Sequence, residues 1–188
     1  VSYGRPRLVS ATGSRDGKTI FVMLEDGAMW KFQVAEGDAA TWQRLSYTAT
    51  GIQQLQLSPD GTKLLLLGGI ARIVDPISGA TLHEVGEVAS ACWDAVQMDR
   101  LAICRVNGTL ELFENGKTTQ LAKAVDTSAS KVIGLQFFTE TWNDKKIAPS
   151  RHLLVHTEDA NDGYLQFVAI DKAPEGTLRF EGDGREQL

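Results

Sequence analysis

Cysteine, clustered positive charge and long apolar runs are all scarce in this chain of 188 residues. Its two cysteines, Cys92 and Cys104, are too few for a disulfide framework or for a structural zinc site. The net charge is −5 and the Lys and Arg residues are dispersed, so we expect no direct contact with nucleic acid. No apolar run approaches the roughly 18 residues that span a bilayer, and we expect no membrane insertion.

The beginning of the chain lacks the charged, apolar and small-residue pattern of a secretory signal. We therefore expect an intracellular protein, cytoplasmic or nuclear, with two reduced thiols. A cross-strand disulfide between Cys92 and Cys104, on either side of a turn at Met98–Arg100, is the alternative. The first residue is Val1, which favours a segment of a longer protein over removal of an initiator methionine.

The sequence also lacks the 3.6-residue apolar period of helices. It contains instead two stretches with the same pattern of turn and apolar residues. Ser14–Leu24 (SRDGKTIFVML) and Ser58–Leu67 (SPDGTKLLLL) each place an Asp-Gly turn before an apolar block, 44 residues apart. A second set of turn dipeptides lies between apolar runs and predicts positive φ angles in hairpins: Asp26-Gly27, Gly68-Gly69, Asn107-Gly108 and Asp162-Gly163. A period in the forties with several short strands per unit is typical of β-propeller blades.

The turns divide the chain into four units of four strands, at about residues 8–45, 52–85, 89–122 and 132–181. The predicted strands are Leu8–Thr12, Thr19–Leu24, Met29–Val34, Thr41–Leu45, Ile52–Leu57, Lys63–Leu67, Ile70–Asp75, Thr81–Val85, Ala89–Val96, Leu101–Val106, Thr109–Glu114, Thr118–Ala122, Val132–Phe137, Arg151–Thr157, Tyr164–Asp171 and Thr177–Phe180. The fold class is therefore all-β, a propeller-like array of antiparallel four-stranded blades, and residues 1–188 form one propeller-like domain or part of one.

The repeat resembles the WD-repeat and related propeller families. Ser58-Pro59-Asp60-Gly61 before an apolar strand is similar to a common first turn of those blades, and Val74–Gly79 (VDPISG) with Ala80–Val85 resembles their outer hairpin. The resemblance is one of pattern, to a divergent propeller of this kind, because the Trp93-Asp94 pair lies in an opening strand. The resemblance implies a ring larger than four blades. The chain is thus a segment of a larger propeller, or another chain completes the ring, or four blades close alone.

Two kinds of function are open to such a fold. The resemblance to WD-repeat proteins implies a non-catalytic scaffold for protein–protein interaction, with other protein subunits or the remaining blades as partners and no cofactor. The alternative is an enzyme or ligand-binding propeller whose central-channel site is completed by another part of the protein. Among the innermost strands predicted for the first three units, Asp94 is the one acidic residue.

Few side chains suggest chemistry. His152 and His156 lie four apart in a predicted strand, roughly 13 Å from one another, and with His83 are expected to be surface or interface residues. Glu158–Gly163 (EDANDG) lacks the later ligands of a calcium loop and is expected to be a hairpin turn. No metal or catalytic residues are predicted. Trp30 and Trp93 are expected in the core and Trp42 in an outer strand.

A mostly polar insertion, Thr139–Ser150, lengthens the fourth unit. Ordinary connections run about two to six residues, so we interpret the insertion as the functional addition; a loop without function is the alternative. An aromatic on a protruding loop indicates a fold-back onto the body or a partner contact. The predicted partner-contact residues are Phe138, Trp142, Asn143, Asp144, Lys145 and Lys146.

Overall fold

The computed structural model describes residues 6–34, 40–121, 125, 127, 131–140, 150–159 and 163–170. Within these residues the chain forms fifteen β-strands and no helix. The strands are β1 (Leu8–Gly13), β2 (Thr19–Leu24), β3 (Ala28–Val34), β4 (Ala40–Thr48), β5 (Ile52–Leu57), β6 (Leu64–Gly68), β7 (Ile70–Val74), β8 (Thr81–Gly86), β9 (Val88–Trp93), β10 (Leu101–Arg105), β11 (Leu110–Glu114), β12 (Lys117–Gln120), β13 (Lys131–Glu140), β14 (Ser150–Glu158) and β15 (Gly163–Ala169).

The strands form four antiparallel sheets in chain order. The first sheet is β1–β4, the second β5–β8, the third β9–β12 and the fourth β13–β15. Each strand is bonded to its neighbours in sequence, as in a meander. The predicted all-β fold of propeller-like blades is confirmed. The predicted strand Thr177–Phe180 lies outside the described residues.

Three strand boundaries differ from the sequence prediction by three residues, and the others by no more than two. β4 continues to Thr48 instead of ending at Leu45, β9 ends at Trp93 instead of Val96, and β13 continues to Glu140. β9 ends early because Asp94 turns the chain through hydrogen bonds to the next backbone N–H groups. The predicted insertion Thr139–Ser150 is shorter than expected, since both of its ends belong to paired strands.

The chain divides into two compact units, residues 1–88 with the first two sheets and residues 89–188 with the last two. The part of the chain that the structure describes contains no helix of the length and hydrophobicity needed to span a bilayer.

The first unit has a continuous apolar core. Leu64–Leu67 is buried on both faces of its sheet, as the unbroken apolar run predicts. The buried cluster is formed by Phe21, Met23, Met29, Leu45, Ala49, Ile52, Leu55, Leu57, Leu64, Leu66 and Val74.

Side-chain oxygens join the two sheets of this first unit. Ser10 Oγ accepts the N–H of Leu55 and Thr12 Oγ1 accepts that of Leu57, each at 3.0 Å. Both donors lie on β5, whose N–H groups at these positions would otherwise lack a ladder partner. The hydroxyls on β1 therefore provide hydrogen-bond acceptors for two N–H groups at the edge of the neighbouring sheet.

The third and fourth sheets enclose the core of the second unit. Its buried cluster consists of Ala102, Cys104, Leu110, Val125, Val132, Leu153, Val155 and Val168. Leu110 belongs to this cluster and Leu112 packs against it, so alternate residues of β11 face the core. Glu111 on the opposite face is also buried, because Arg105 binds its carboxylate at 2.9 and 3.1 Å.

The hairpin glycines of the first three sheets accept a repeated hydrogen bond. The donors lie beyond the outer strand of the same sheet, and the pairs are Ala49 N–H with Gly27 O (2.9 Å), Val88 N–H with Gly69 O (3.3 Å) and Val125 N–H with Gly108 O (2.8 Å). The predicted spacing of these turns thus reflects one repeated structure.

Gly68 differs from the prediction made for its dipeptide. Gly27 and Gly108 have φ values of 80° and 83°, whereas neither Gly68 nor Gly69 has a positive φ. A Cβ added at Gly68 would lie 2.4 Å from the carbonyl oxygen of Gly51. The prediction of a positive φ is therefore wrong for Gly68. Glycine is required at this position for another reason, the close approach of its backbone to that of Gly51.

Candidate interaction surface

The turns that follow β1 and β5 share one hydrogen-bond network. The Ser14 hydroxyl donates to Asp16 Oδ1 at 2.5 Å and accepts the N–H of Thr19 at 2.9 Å. In the second sheet, Ser58 donates to Asp60 at 2.6 Å and accepts from Lys63 at 2.9 Å. In each of these turns, the serine hydroxyl, the aspartate and the backbone N–H group are hydrogen-bonded to one another, within a single sheet.

Asp94 occupies the corresponding place after β9. The N–H groups of Ser14 and Ser58 donate to the carbonyls of Thr19 and Lys63 at 2.8 Å, and the Asp94 N–H donates to the Arg100 carbonyl at 2.9 Å. The third turn thus carries a carboxylate where the first two carry a hydroxyl. It is also one residue longer between donor and acceptor.

The Asp94 carboxylate holds its own turn and reaches the fourth sheet. Its Oδ1 accepts the N–H groups of Val96 at 2.8 Å and Gln97 at 3.1 Å. The same oxygen pairs with Arg151 Nη2, from a residue 57 positions away in sequence. Asp94 is completely buried and the Arg151 side chain is largely buried, so this is a buried ion pair between two sheets of the second unit.

Arg151 is fixed by its strand and by an aromatic ring. It lies near the start of β14, opposite Thr139 of β13. Its guanidinium carbon lies 5.6 Å from the centroid of the Phe137 ring, which is cation–π distance. These contacts direct the guanidinium toward the third sheet.

The charge state of Asp94 follows from two opposing effects. Burial raises the pKa of Asp94. Hydrogen bonds from Arg151 and from the backbone N–H groups of Val96 and Gln97, together with the Arg151 charge, lower the pKa by more than burial raises it. The net result is a pKa below the usual value, so the carboxylate is ionised at neutral pH. The electrostatic attraction to Arg151 is therefore present under physiological conditions.

Apolar side chains are exposed on the turn that carries this ion pair. Val96 and Met98, just beyond Asp94, are 66% and 46% exposed. We call Val96 and Met98 the rim surface. Phe138 on β13 is 44% exposed, but it follows Phe137, which packs on the core of the second unit, so its side chain points to the opposite face of the fourth sheet.

The predicted partner-contact residues are only in part within the described structure. Phe138 lies in β13 and is exposed, but it is not part of the rim surface. Trp142, Asn143, Asp144, Lys145 and Lys146 lie outside the described residues. Val96 and Met98 were not predicted, although their apolar character in a turn that lacks the Ser-x-Asp-Gly pattern is a signal available in the sequence.

The three histidines lie on β-strands, and the acidic segment Glu158–Gly163 connects two paired strands. His152 is buried and His156 half-buried on β14, and His83 is half-buried on β8. His152 therefore differs from its predicted surface or interface position. In the described residues no group of three or more His, Cys, Asp or Glu side chains could hold a metal ion. Glu158 pairs with Gly163, which confirms the predicted hairpin.

Two of the three tryptophans within the described residues follow the prediction. Trp93 is buried, whereas Trp30, predicted in the core, is only half-buried. Trp42 on the edge strand β4 is 60% exposed, and its ring centroid lies 4.7 Å from that of Phe32. Trp142 lies outside the described residues.

The two cysteines are free thiols, as expected. Burial raises the pKa of Cys92 to about 12; a hydrogen bond from the Phe137 backbone opposes this shift and the charge of Asp94 adds to it. Burial also raises the pKa of Cys104, to about 11. Both groups are therefore protonated at neutral pH and weakly nucleophilic.

Comparisons with known proteins bear on the fold. No family model and no curated protein matches the chain. Among the similar solved structures is the crystal structure of Sqt1 from Saccharomyces cerevisiae, a WD-repeat protein, with a TM-score of 0.55 at 8% sequence identity. The match covers 85% of this chain and 47% of Sqt1, so the chain spans about half of that protein. Together with the four antiparallel sheets, this likeness supports a WD-like propeller fold.

Proposed function

We propose that this chain is a non-catalytic module for protein–protein interaction, a propeller subunit or segment within an intracellular multi-subunit assembly, and that the rim surface is one of its contact sites. Its partners are other protein subunits or further blades of a larger propeller. The likeness to a WD-repeat protein is in keeping with this general kind of role.

The exposure of the rim surface carries the proposal. Methionine is enriched at protein interfaces relative to the remaining surface. Val96 and Met98 are exposed on a turn whose backbone is held by two hydrogen bonds to Asp94. A rigid apolar surface loses little conformational entropy when a partner binds to it.

Asp94 also bears on the enzymatic alternative. A central-channel active site needs polar side chains that are free to act on a ligand. The acid that the sequence offered for this purpose is engaged by Arg151 and by two backbone N–H groups. This engagement favours a structural use of Asp94 over a catalytic one.

A pair of variants with similar exposure tests the proposal. The double variant Val96→Asp/Met98→Asp places two charges on the rim surface, and Leu82→Asp places one charge on β8, where Leu82 is 54% exposed. Each tagged chain is expressed in cells, isolated with its bound proteins and compared with the unmodified chain by quantitative mass spectrometry. We expect the double variant to lose at least one bound protein by tenfold or more, while Leu82→Asp retains it.

Equal recovery of every bound protein by the double variant and the unmodified chain contradicts the proposal. Circular dichroism and thermal melting of the three purified proteins provide the control for folding. Because the substituted side chains are exposed, we expect melting temperatures close to that of the unmodified chain.

A further inference from the structure

We infer that Arg151 is a positioning residue for the rim surface, acting through Asp94 to fix the turn that carries Val96 and Met98 against the fourth sheet. The inference rests on the proposed function for its biological meaning. Its physical content, the coupling of the third turn to the fourth sheet, stands on the contacts alone.

A comparison of the three equivalent turns supports this role. In the first two turns, an Asp two residues after the serine binds that hydroxyl and also accepts a backbone N–H, from Lys18 or Thr62 at 3.0 Å. The residue two after Asp94 is Val96, so the third turn has no second carboxylate at that place. Its backbone is held by the Arg100 N–H, which donates to the Gln97 carbonyl at 2.9 Å, and by the Asp94 carboxylate, whose paired positive charge comes from Arg151 on the next sheet.

The surroundings of the pair make the coupling strong. The Asp94 side chain is completely buried and that of Arg151 is 13% exposed, and charges in such surroundings are weakly screened by solvent and salt. Arg151 cannot easily leave, because its strand is paired on both sides and its guanidinium lies over Phe137. Arg151 thus holds the Asp94 carboxylate against the fourth sheet, and Asp94 in turn holds the backbone N–H groups of Val96 and Gln97.

Loss of the ion pair has a local consequence. Val96 and Gln97 donate to the same Asp94 oxygen that binds Arg151. Without Arg151, that oxygen is no longer held against the fourth sheet, and the turn moves with its exposed side chains. A partner that binds Val96 and Met98 together would then meet them in many arrangements.

Amide hydrogen exchange measured by NMR on the 188-residue chain tests this role. Arg151→Leu alone leaves a buried, uncompensated carboxylate and risks unfolding. The informative variant is therefore Asp94→Asn/Arg151→Leu, which removes both charges but keeps a side-chain oxygen that can accept the N–H groups of Val96 and Gln97. We expect amide exchange at Val96 and Gln97 to become at least tenfold faster. Exchange at Ala102 and Ile103 in β10 is expected to stay within threefold of the original rate.

A second readout concerns the exposed side chains. The methyl order parameter of Met98 is expected to fall in the double variant and to stay near its original value in Arg151→Lys, which retains the positive charge. Original exchange rates at Val96 and Gln97 in the double variant overturn the positioning role, because the side-chain acceptor at position 94 would then hold the turn without Arg151. That result leaves the proposed function standing, since the latter is tested by substitution of Val96 and Met98 themselves.

Discussion

Gly108→Ala tests the repeated hairpin structure most sharply. Gly108 has a φ of 83°, and its carbonyl accepts the N–H of Val125 at 2.8 Å. A Cβ at this position would lie 2.0 Å from the carbonyl oxygen of Val125, far inside van der Waals contact. Val125 is buried in the core of the second unit, so the substitution disturbs both the turn and the core behind it.

The expected loss of stability has two parts. An L-residue at a left-handed φ costs about 1–2 kcal/mol. Displacement of Val125 breaks its hydrogen bond and leaves a buried N–H without a partner, which costs about 1–3 kcal/mol. We therefore expect Gly108→Ala to reduce the free energy of unfolding of the second unit by about 2–5 kcal/mol.

Gly116→Ala is the matched control. Gly116 has a similar φ of 76°, but an added Cβ would meet nothing within 4 Å. We expect this variant to lose only the backbone part, about 1–2 kcal/mol. Urea unfolding of the original chain and both variants, followed by circular dichroism, gives the two differences from midpoints and slopes. Equal losses for the two variants refute the contact with Val125.

Tyr47 and Thr12 provide two further predictions in the first unit. Burial and the charge of Asp75 raise the pKa of Tyr47 to about 12, against about 10 in an unfolded chain. The stability that this shift contributes is therefore fully present below about pH 10 and is lost as the pH rises toward 12. We expect Tyr47→Phe to flatten this alkaline loss in urea unfolding, and an unchanged pH profile would contradict the assignment. Thr12→Val removes the acceptor of the Leu57 N–H and should lower the free energy of unfolding by about 1–3 kcal/mol, whereas Thr12→Ser keeps a hydroxyl and should cost less. Equal costs in thermal or urea unfolding would show that this hydrogen bond does not stabilise the contact between the first two sheets.

The strands and turns could be predicted because their signals are local. Asp16-Gly17 and Asp60-Gly61 specify tight turns through positive φ at the glycine, and the apolar runs between turns have the length of strands. Leu64–Leu67 is apolar without a break because its sheet is covered on both faces. Fold class and most strand boundaries follow from such features.

The ion pair could not be predicted, because nothing local connects its members. Asp94 and Arg151 are 57 residues apart and meet only when two sheets pack. The sequence indicates a turn near Met98–Arg100, but the partner of the carboxylate depends on the alignment of β14 with that turn. The role of Gly68 was missed for a similar reason, since its requirement comes from Gly51 in a separate connection.

Site-specific photo-crosslinking is the most direct test of the claim that the rim surface contacts another protein. A photoreactive amino acid is placed at Met98, and in a parallel chain at Leu82, which has similar exposure in the first unit. We expect irradiation in cells to give a discrete crosslinked protein from position 98 that is absent from position 82. Crosslinks from position 82 with none from position 98 would contradict the claim.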